Sequence, residues 1–345
     1  MPRHYSIIYS SIKAERNSKT LLFLFSFCSF DKLIFLKARR IPGQFMAGAE
    51  PQKQISRVVT HAQLTIPPPR QRRDQCNGVF MVESILMPVS PVAPVAPYLG
   101  GKKILSKKIV PLLRSIPHRA YVEPFVGMGG VFFRRNFVSQ CEVINDLNGD
   151  VANLFRILQR HYVPLMDMLR WQIASRSEFD RLRAAKPETL TDLERAARFL
   201  YLQRLAFGGK VNGAFGVTIG PARFDVNKLG QILDDVHSRL SRVTIECLPY
   251  ADVIIRYDRP DTLFYLDPPY YGNEGDYNAP FSRENFELIA EQLGRIKGRF
   301  VLSLNDVPQV RSIFRQFEID TVDVSYSISR EKAGRGRRSE VLITN

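Results

Sequence analysis

"LFYLDPPYYG", residues 263–272, decides how the chain is read. Leu263–Leu266 is an apolar run of strand length. Asp267, Pro268, Pro269, Tyr270 and Tyr271 follow it directly. Asp-Pro and Pro-Pro pairs interrupt regular structure, so a plain turn is one reading. The other reading comes from position, because open α/β sheets bind ligands outside the carboxyl ends of their strands. Prolines fix the backbone and cannot donate, so the carbonyls beside them stay available as acceptors. An ionised Asp267 is acceptor-only. Such a corner suits a ligand with two N–H donors in one plane, an amino group on an aromatic ring, and Tyr270 offers a ring to stack on.

Strands and helices alternate on both sides of this stretch. "AYVEPF" (120–125), "CEVIND" (141–146), "RVTIECL" (242–248), "TLFYL" (262–266) and "RFVLSLN" (299–305) read as strands. Two more follow near 318–326 and 339–344. Helical spacing marks 149–162, the residues 163–206 read as helices including 177–185 and 192–206, and further helices cover 226–240, 282–297 and 306–316, with one expected from about Val131. The alternation argues for a mainly parallel sheet covered by helices on both faces. A helical stretch interrupts it and reads as an insertion over 161–241. The main α/β domain then comprises 97–160 and 242–345.

Two further motifs carry chemistry. "VEPFVGMGG" (122–130) places small residues after a strand, where a backbone can approach a ligand closely. It lacks the full G-x-G-x-x-G spacing, and a tight strand–helix corner is the alternative. Asp146 ends the second strand, 19 positions after Gly127. An acid there can accept hydrogen bonds from both hydroxyls of a ribose, or it can cap the next helix, since "DLNGD" is rich in capping residues.

The first 96 residues differ in character. Residues 1–90 hold 13 of the 49 basic and 5 of the 34 acidic residues, leaving 36 and 29 to the rest. The formal charge of +15 therefore belongs about equally to a short extension and to a mildly basic working part. Charge alone is weak grounds for a nucleic-acid partner. "LLFLFSFCSF" (21–30) is too short to span a bilayer, and a charged break at Asp31 and Lys32 follows it. A basic start before an apolar run resembles a signal peptide. The preferred reading is a disordered upstream extension, with Met81 and Met87 as alternative starts. "MPVSPVAPVAP" (87–97) then serves as an extended, Pro-rich linker. Cys28, Cys76, Cys141 and Cys247 form no C-x-x-C pair, and Cys141 and Cys247 are expected to be buried reduced thiols. The five scattered histidines suggest no metal cluster, and a reducing cytoplasm is the expected compartment.

Taken together, "YLGGK" (98–102), "EPFVGMGG" (123–130), "NDLN" (145–148) and "LDPPY" (266–270) resemble the DNA adenine (N6) methyltransferases of the Dam type, the D12 class. The resemblance covers about residues 97–345. It implies a Rossmann-like α/β fold of S-adenosylmethionine-dependent methyltransferases with an inserted helical target-recognition domain. It implies transfer of a methyl group from S-adenosyl-L-methionine to a flipped-out adenine in double-stranded DNA, without a metal. By position, Tyr98, Lys102, Asp146 and Asp267 would contact the cofactor, with Phe125, Gly127 and Gly129 lining its pocket. Tyr98 stands where some relatives have Trp. Asp267, Pro268, Pro269 and Tyr270 would be catalytic.

The insertion loop departs from the best-known members, which often carry an Arg and an "NVPFG"-like turn. Here it reads "GGKVNGAFGVTIG" (208–220), with Lys210 and Asn212 as the nearest polar readers. Asn can pair with adenine and Lys with guanine in the major groove, though a flexible loop tip is the plainer reading. The basic run "SREKAGRGRRSE" (329–340) puts Arg335 and Arg337 between two strands, as phosphate contacts or as a solvated hairpin tip. Two other functions compete: an RNA adenine methyltransferase of the same fold, and a decayed methylase that only binds DNA. A protein-glutamine methylase typically has Asn where Asp267 stands. A monomer without membrane contact is expected. The target sequence, and a restriction-linked, phage-borne or solitary role, stay open.

Overall fold

The computed structural model describes residues 86–217, 223–272, 281–325 and 337–345, together with the strands Ser26–Ser29 and Lys32–Phe35. The chain divides into two units, Met1–Asn77 and Gly78–Asn345. In the first, the two strands pair antiparallel, Ser26 opposite Phe35.

The second unit is built on a seven-stranded sheet. Its strands are β1 (Ala120–Glu123), β2 (Cys141–Asn145), β3 (Val243–Glu246), β4 (Thr262–Leu266), β5 (Arg299–Asn305), β6 (Glu318–Ser325) and β7 (Arg337–Thr344). The spatial order is β3-β2-β1-β4-β5-β7-β6. The first five are mutually parallel, and β7 runs antiparallel between β5 and β6.

Nine helices are described in this unit: α1 (Ser106–Ser115), α2 (Gly149–Arg160), α3 (Tyr162–Leu169), α4 (Arg176–Ala184), α5 (Asp192–Leu205), α6 (Val226–Leu240), α7 (Tyr250–Tyr257), α8 (Glu284–Leu293) and α9 (Pro308–Ile313). Side chains alternate across a strand, so each strand feeds two cores. In β4, Leu263 and Tyr265 join a core with α1 to α6, while Phe264 and Leu266 join a second core with α7 to α9. Burial on both faces explains the unbroken apolar run "TLFYL". The arrangement is consistent with an α/β methyltransferase fold.

Local signals set the helix ends. Asn148 caps α2 by accepting from the Asp150 N–H, and Thr191 with Glu194 forms a capping box on α5. The helix expected from Val131 is a single 3-10 turn, Phe132–Arg134. Phe132 and Phe133 are buried there, and Arg135 turns extended (φ −67°, ψ 137°), which stops the helix. The short helix α7 has no counterpart in the sequence reading. The Pro-rich stretch 87–97 is held against this unit. Met87 and Pro88 pair with Val138 and Phe137, and Val95 and Ala96 are buried.

Cys141 and Cys247 are free thiols but exposed, against expectation. Each lies at an end of its apolar run, Cys141 opening β2 and Cys247 following β3, where the strand leaves the core. Cys76 lies outside the described residues, as does the side chain of Cys28.

Near the amino end of the sheet, Arg135, Glu142 and Arg239 form a buried ionic triad. Glu142 Oε1 is 2.6 Å from Arg135 Nη2, and Glu142 Oε2 is 2.6 Å from Arg239 Nη1. Arg135 also lies 3.6 Å from the centre of the Tyr121 ring. Burial pushes the Glu142 carboxyl up, but the two guanidinium groups outweigh it and hold its pKa below the usual range. Glu142→Ala would strand two buried cations, a loss of about 3–5 kcal/mol by chemical denaturation. Because the folded pKa is depressed, the Glu142 contribution is present above the unfolded value and lost as pH falls through the folded one. The variant should lack that acid step.

Candidate active site

The chain leaves β1 toward β2 and β3 on one side, while β4 and β5 lie on the other. A crevice therefore opens at the carboxyl ends of β1 and β4, paired in parallel with Val122 opposite Phe264. "EPFVGMGG" follows β1, "DLN" follows β2 and "DPPY" follows β4, so the sheet gathers all three at this edge.

Asp267 sits at the base of the crevice with its side chain 22% exposed. Its Oδ1 is 2.7 Å from Lys102 Nζ and accepts from Ser303 Oγ at 3.0 Å. Ser303 in turn contacts the Tyr265 hydroxyl at 2.9 Å. Lys102 is buried and also donates to the Tyr270 hydroxyl at 2.9 Å, and Glu340 Oε2 lies 3.8 Å from its ammonium. Asn305 accepts from the Tyr271 N–H and donates to the Tyr271 carbonyl, which pins "DPPYY" to β5. Burial pushes the Asp267 carboxyl above the ordinary aspartate range, and Lys102 and Ser303 pull it back. The ammonium favours the charged form. Among the described residues, no hydrogen bond reaches Asp267 Oδ2 or the carbonyl of Pro268, so two acceptors at this corner are unused.

The glycine turn forms the other wall. Gly127 (φ 50°) and Gly129 (φ 69°) take the left-handed conformation. A Cβ at Gly127 would come within 2.9 Å of the Tyr98 ring, and one at Gly129 within 2.3 Å of Phe133. Asp146 latches this turn by accepting from the Gly127 N–H (2.8 Å) and the Asn148 N–H (2.9 Å). Each of its oxygens retains a further lone pair. Asn148, not Asp146, caps α2. Burial raises the Asp146 carboxyl to about 6, against the pull of the Asn148 and Gly127 N–H groups. Phe125 packs with Tyr250 and Phe281 at ring-centre distances of 5.3 and 6.1 Å. A glycine cradle, an acid with spare acceptor capacity and aromatic rings fit an adenosine-bearing cofactor.

The sequence profile of the D12 class N6 adenine-specific DNA methyltransferases matches residues 98–328. This chain belongs to that class. It is 28% identical over 271 residues to a DNA adenine methylase of Vibrio cholerae, covering 71% of this chain and 93% of that protein. A type II methyltransferase of Lactococcus lactis subsp. cremoris is 24% identical over 273 residues, with 72% and 93% covered. The DNA adenine methylase of Escherichia coli K12 is 26% identical over 273 residues, with 71% and 92% covered. The chain is a DNA adenine-N6 methyltransferase.

In this D12-class enzyme the remaining candidates lie elsewhere. Lys210 and Asn212 (φ 57°) are exposed on the turn after α5. Arg335 lies outside the described residues, as does the side chain of Arg337, whose backbone opens β7. Sequence reasoning missed Ser303, Asn305, Glu340 and Glu123. Ser303 and Asn305 left a signal, two polar residues at alternate positions near the end of an apolar strand. Glu123 is buried, accepts from the Tyr121 hydroxyl at 2.5 Å, and is pushed by burial to about 8, so it keeps its proton at neutral pH. Among the described residues no group of His, Cys, Asp and Glu is arranged to hold a metal, and no helix is long and apolar enough to cross a membrane.

The Asp146 pKa gives a pH prediction. A raised carboxylate pKa means that ionisation costs folding stability, which is greatest below the unfolded value and is lost as pH rises through about 6. Ribose binding needs the ionised form. Calorimetric titration should show cofactor affinity falling about tenfold per pH unit below 6 in a one-proton linkage. Asp146→Asn should bind weakly at every pH, with that dependence gone. An unchanged pH profile in Asp146→Asn would remove Asp146 from the ribose site.

Proposed function

We propose that the crevice binds S-adenosyl-L-methionine along the glycine turn and presents a flipped adenine of double-stranded DNA to Asp267 and Pro268. The observation carrying this reading is the pair of unused acceptors, Asp267 Oδ2 and the Pro268 carbonyl, beside the Tyr270 ring. Asp146 holds the ribose hydroxyls, and Tyr98, Phe125, Gly127 and Gly129 line the adenosine pocket. Lys102 serves this site through Asp267, fixing its carboxylate by the contact at Oδ1.

S-adenosyl-L-methionine supplies, when bound, an electrophilic methyl group on a sulfonium. The protein's task is the nucleophile. The adenine amino lone pair is delocalised into the ring and attacks poorly. Donation of one N–H to Asp267 Oδ2 and the other to the Pro268 carbonyl favours a pyramidal nitrogen with its lone pair free. This is preorganisation toward the charge that develops in the transition state. As nitrogen gains the methyl group it must release one proton, and Asp267 Oδ2 is the first acceptor in reach. The raised pKa of Asp267 suits that role. Pro269 keeps the corner rigid, and Tyr270 stacks on the extrahelical base, offsetting an unstacking cost of a few kcal/mol.

The helical segment 161–241 serves as the target-recognition part. Asn212 and Lys210 read base edges, and Arg335 and Arg337 contact phosphate, which the basic charge surplus supports. The target sequence is left unassigned. A monomer acting in the cytoplasm completes the reading.

Asp267→Asn turns an acceptor into a donor aimed at the substrate's own donor. Single-turnover methylation should fall by about two to three powers of ten. Tyr270→Ala should lose about 1–3 kcal/mol of stacking and so lower the flipped population. A mismatch opposite the target adenine makes flipping easier. It should partly rescue Tyr270→Ala and leave Asp267→Asn unimproved. Near-normal methylation by Asp267→Asn, or equal rescue of both, would reduce "DPPY" to a turn.

A further inference from the structure

One buried amide joins the recognition segment to the cofactor side of the crevice. Gln203 lies in the last turn of α5 and is 2% exposed. Its Nε2 donates to the Pro97 carbonyl at 2.8 Å and to the Gly209 carbonyl at 2.6 Å. The Leu99 N–H meets the same Gly209 carbonyl at 3.0 Å. Gly209 has φ 69°, and a Cβ there would come 2.9 Å from the Pro97 carbonyl carbon and the Tyr98 nitrogen, so two backbones touch. The neighbouring Arg204 reaches the Val95 carbonyl at 2.8 Å, so the end of α5 grips residues 95–97 twice.

Contacts continue in both directions. Toward the crevice, Tyr98 covers Gly127, and the Gly127 N–H is held by Asp146. Toward the recognition turn, the Lys210 carbonyl accepts from the Gly213 N–H at 3.0 Å, closing a tight turn around Asn212. Gln203, Asn212 and Asn148 also line one cleft of about 230 Å³, with Phe179, Arg198 and Phe199.

We infer that Gln203 is a positioning residue that couples DNA engagement at the 210–213 turn to the seating of residues 97–101 over the cofactor. The inference rests on the functional reading above. An amide that donates both hydrogens to carbonyls of two different segments fixes the distance between them. Displacing the 210–213 turn therefore moves Gly209, and with it Pro97 to Leu99 and the Tyr98 ring. Gln203 makes no hydrogen bond with Gly127 or Asp146, so its loss should weaken the coupling more than the cofactor site itself. The coupling is reciprocal: DNA tightens cofactor, and cofactor tightens DNA, by the same factor.

The test measures binding of S-adenosylhomocysteine to the full chain with and without a duplex carrying the target mapped by methylation-sensitive sequencing. For the wild type, DNA should tighten binding about tenfold, within the usual range of site-to-site coupling. For Gln203→Leu, binding without DNA should stay within about threefold of wild type, while the tightening by DNA drops below about twofold. Asp146→Ala should weaken binding in both conditions and keep the ratio. Hydrogen exchange on the wild type needs no variant to fold: DNA alone should slow the amides of residues 98–102. A wild-type ratio in Gln203→Leu, or unaltered exchange at 98–102, would overturn the coupling. Tight binding of S-adenosylhomocysteine that ignores DNA would overturn it and leave the cofactor site standing. No binding by the wild type would overturn the site, and the coupling with it.

Discussion

The contact between Lys102 and Asp267 is the constraint on which the crevice depends. The two residues come from opposite ends of the unit, one before the first sheet strand and the other after the fourth. Lys102 is 2% exposed, and an ammonium in such a place is costly unless it is paired and hydrogen-bonded. Asp267 Oδ1, the Tyr270 hydroxyl and the Gly100 carbonyl, at 2.7, 2.9 and 3.4 Å, answer that need. Placing Lys102 therefore places "DPPY" and "YLGGK" together. It also engages one oxygen of Asp267, Oδ1.

The sequence was most legible where one signal served both faces of the sheet. "TLFYL" and "RFVLSLN" could be bounded to the residue because both are apolar runs closed by turn-forming or polar residues. Helix α6 was equally clear from its spacing, and the structure adds Asp225 as its cap. The short elements were not legible. Phe132–Arg134 looks helical until Arg135 is drawn inward to Glu142, a partner in another strand that no local window contains. Helix α7 spans eight residues with an exposed Ile255, too short for its period to show. The motif residues of the site were readable because they follow strands. Their supports, Ser303, Glu340 and Gln203, were not, because their function exists only through long-range partners.

Lys102 adds a second role to the one its position implied. Its place in "YLGGK" implied a cofactor contact, and its ammonium also meets Asp267 and the Tyr270 hydroxyl of the "DPPY" corner. A buried cation of this kind changes what Asp267 does. With Oδ1 occupied by Lys102 and Ser303, the carboxylate cannot swing between two partners, and Oδ2 is aimed by the ion pair. Positioning of this kind lowers the reorganisation needed at the moment of reaction.

The sheet carries an ionic cluster toward each end, and the contrast separates structure from chemistry. Toward the amino end, Glu142 is saturated: Oε1 accepts from Arg135, Arg239 and the Ser139 N–H, and Oε2 from Arg239. With both oxygens occupied and the carboxyl 5% exposed, that cluster can only tie β2 to α6 and to the loop at Arg135. At the carboxyl end, Asp267 uses Oδ1 for its protein partners, and its side chain is 22% exposed. Burial raises both carboxyls, but two guanidinium groups overcome it at Glu142, while one ammonium and one hydroxyl do not at Asp267. The acid with spare acceptor capacity and an elevated pKa is the one at the base of the crevice. That difference in saturation supports the proposal that Asp267 is the reacting group, with Glu142 as the fastener.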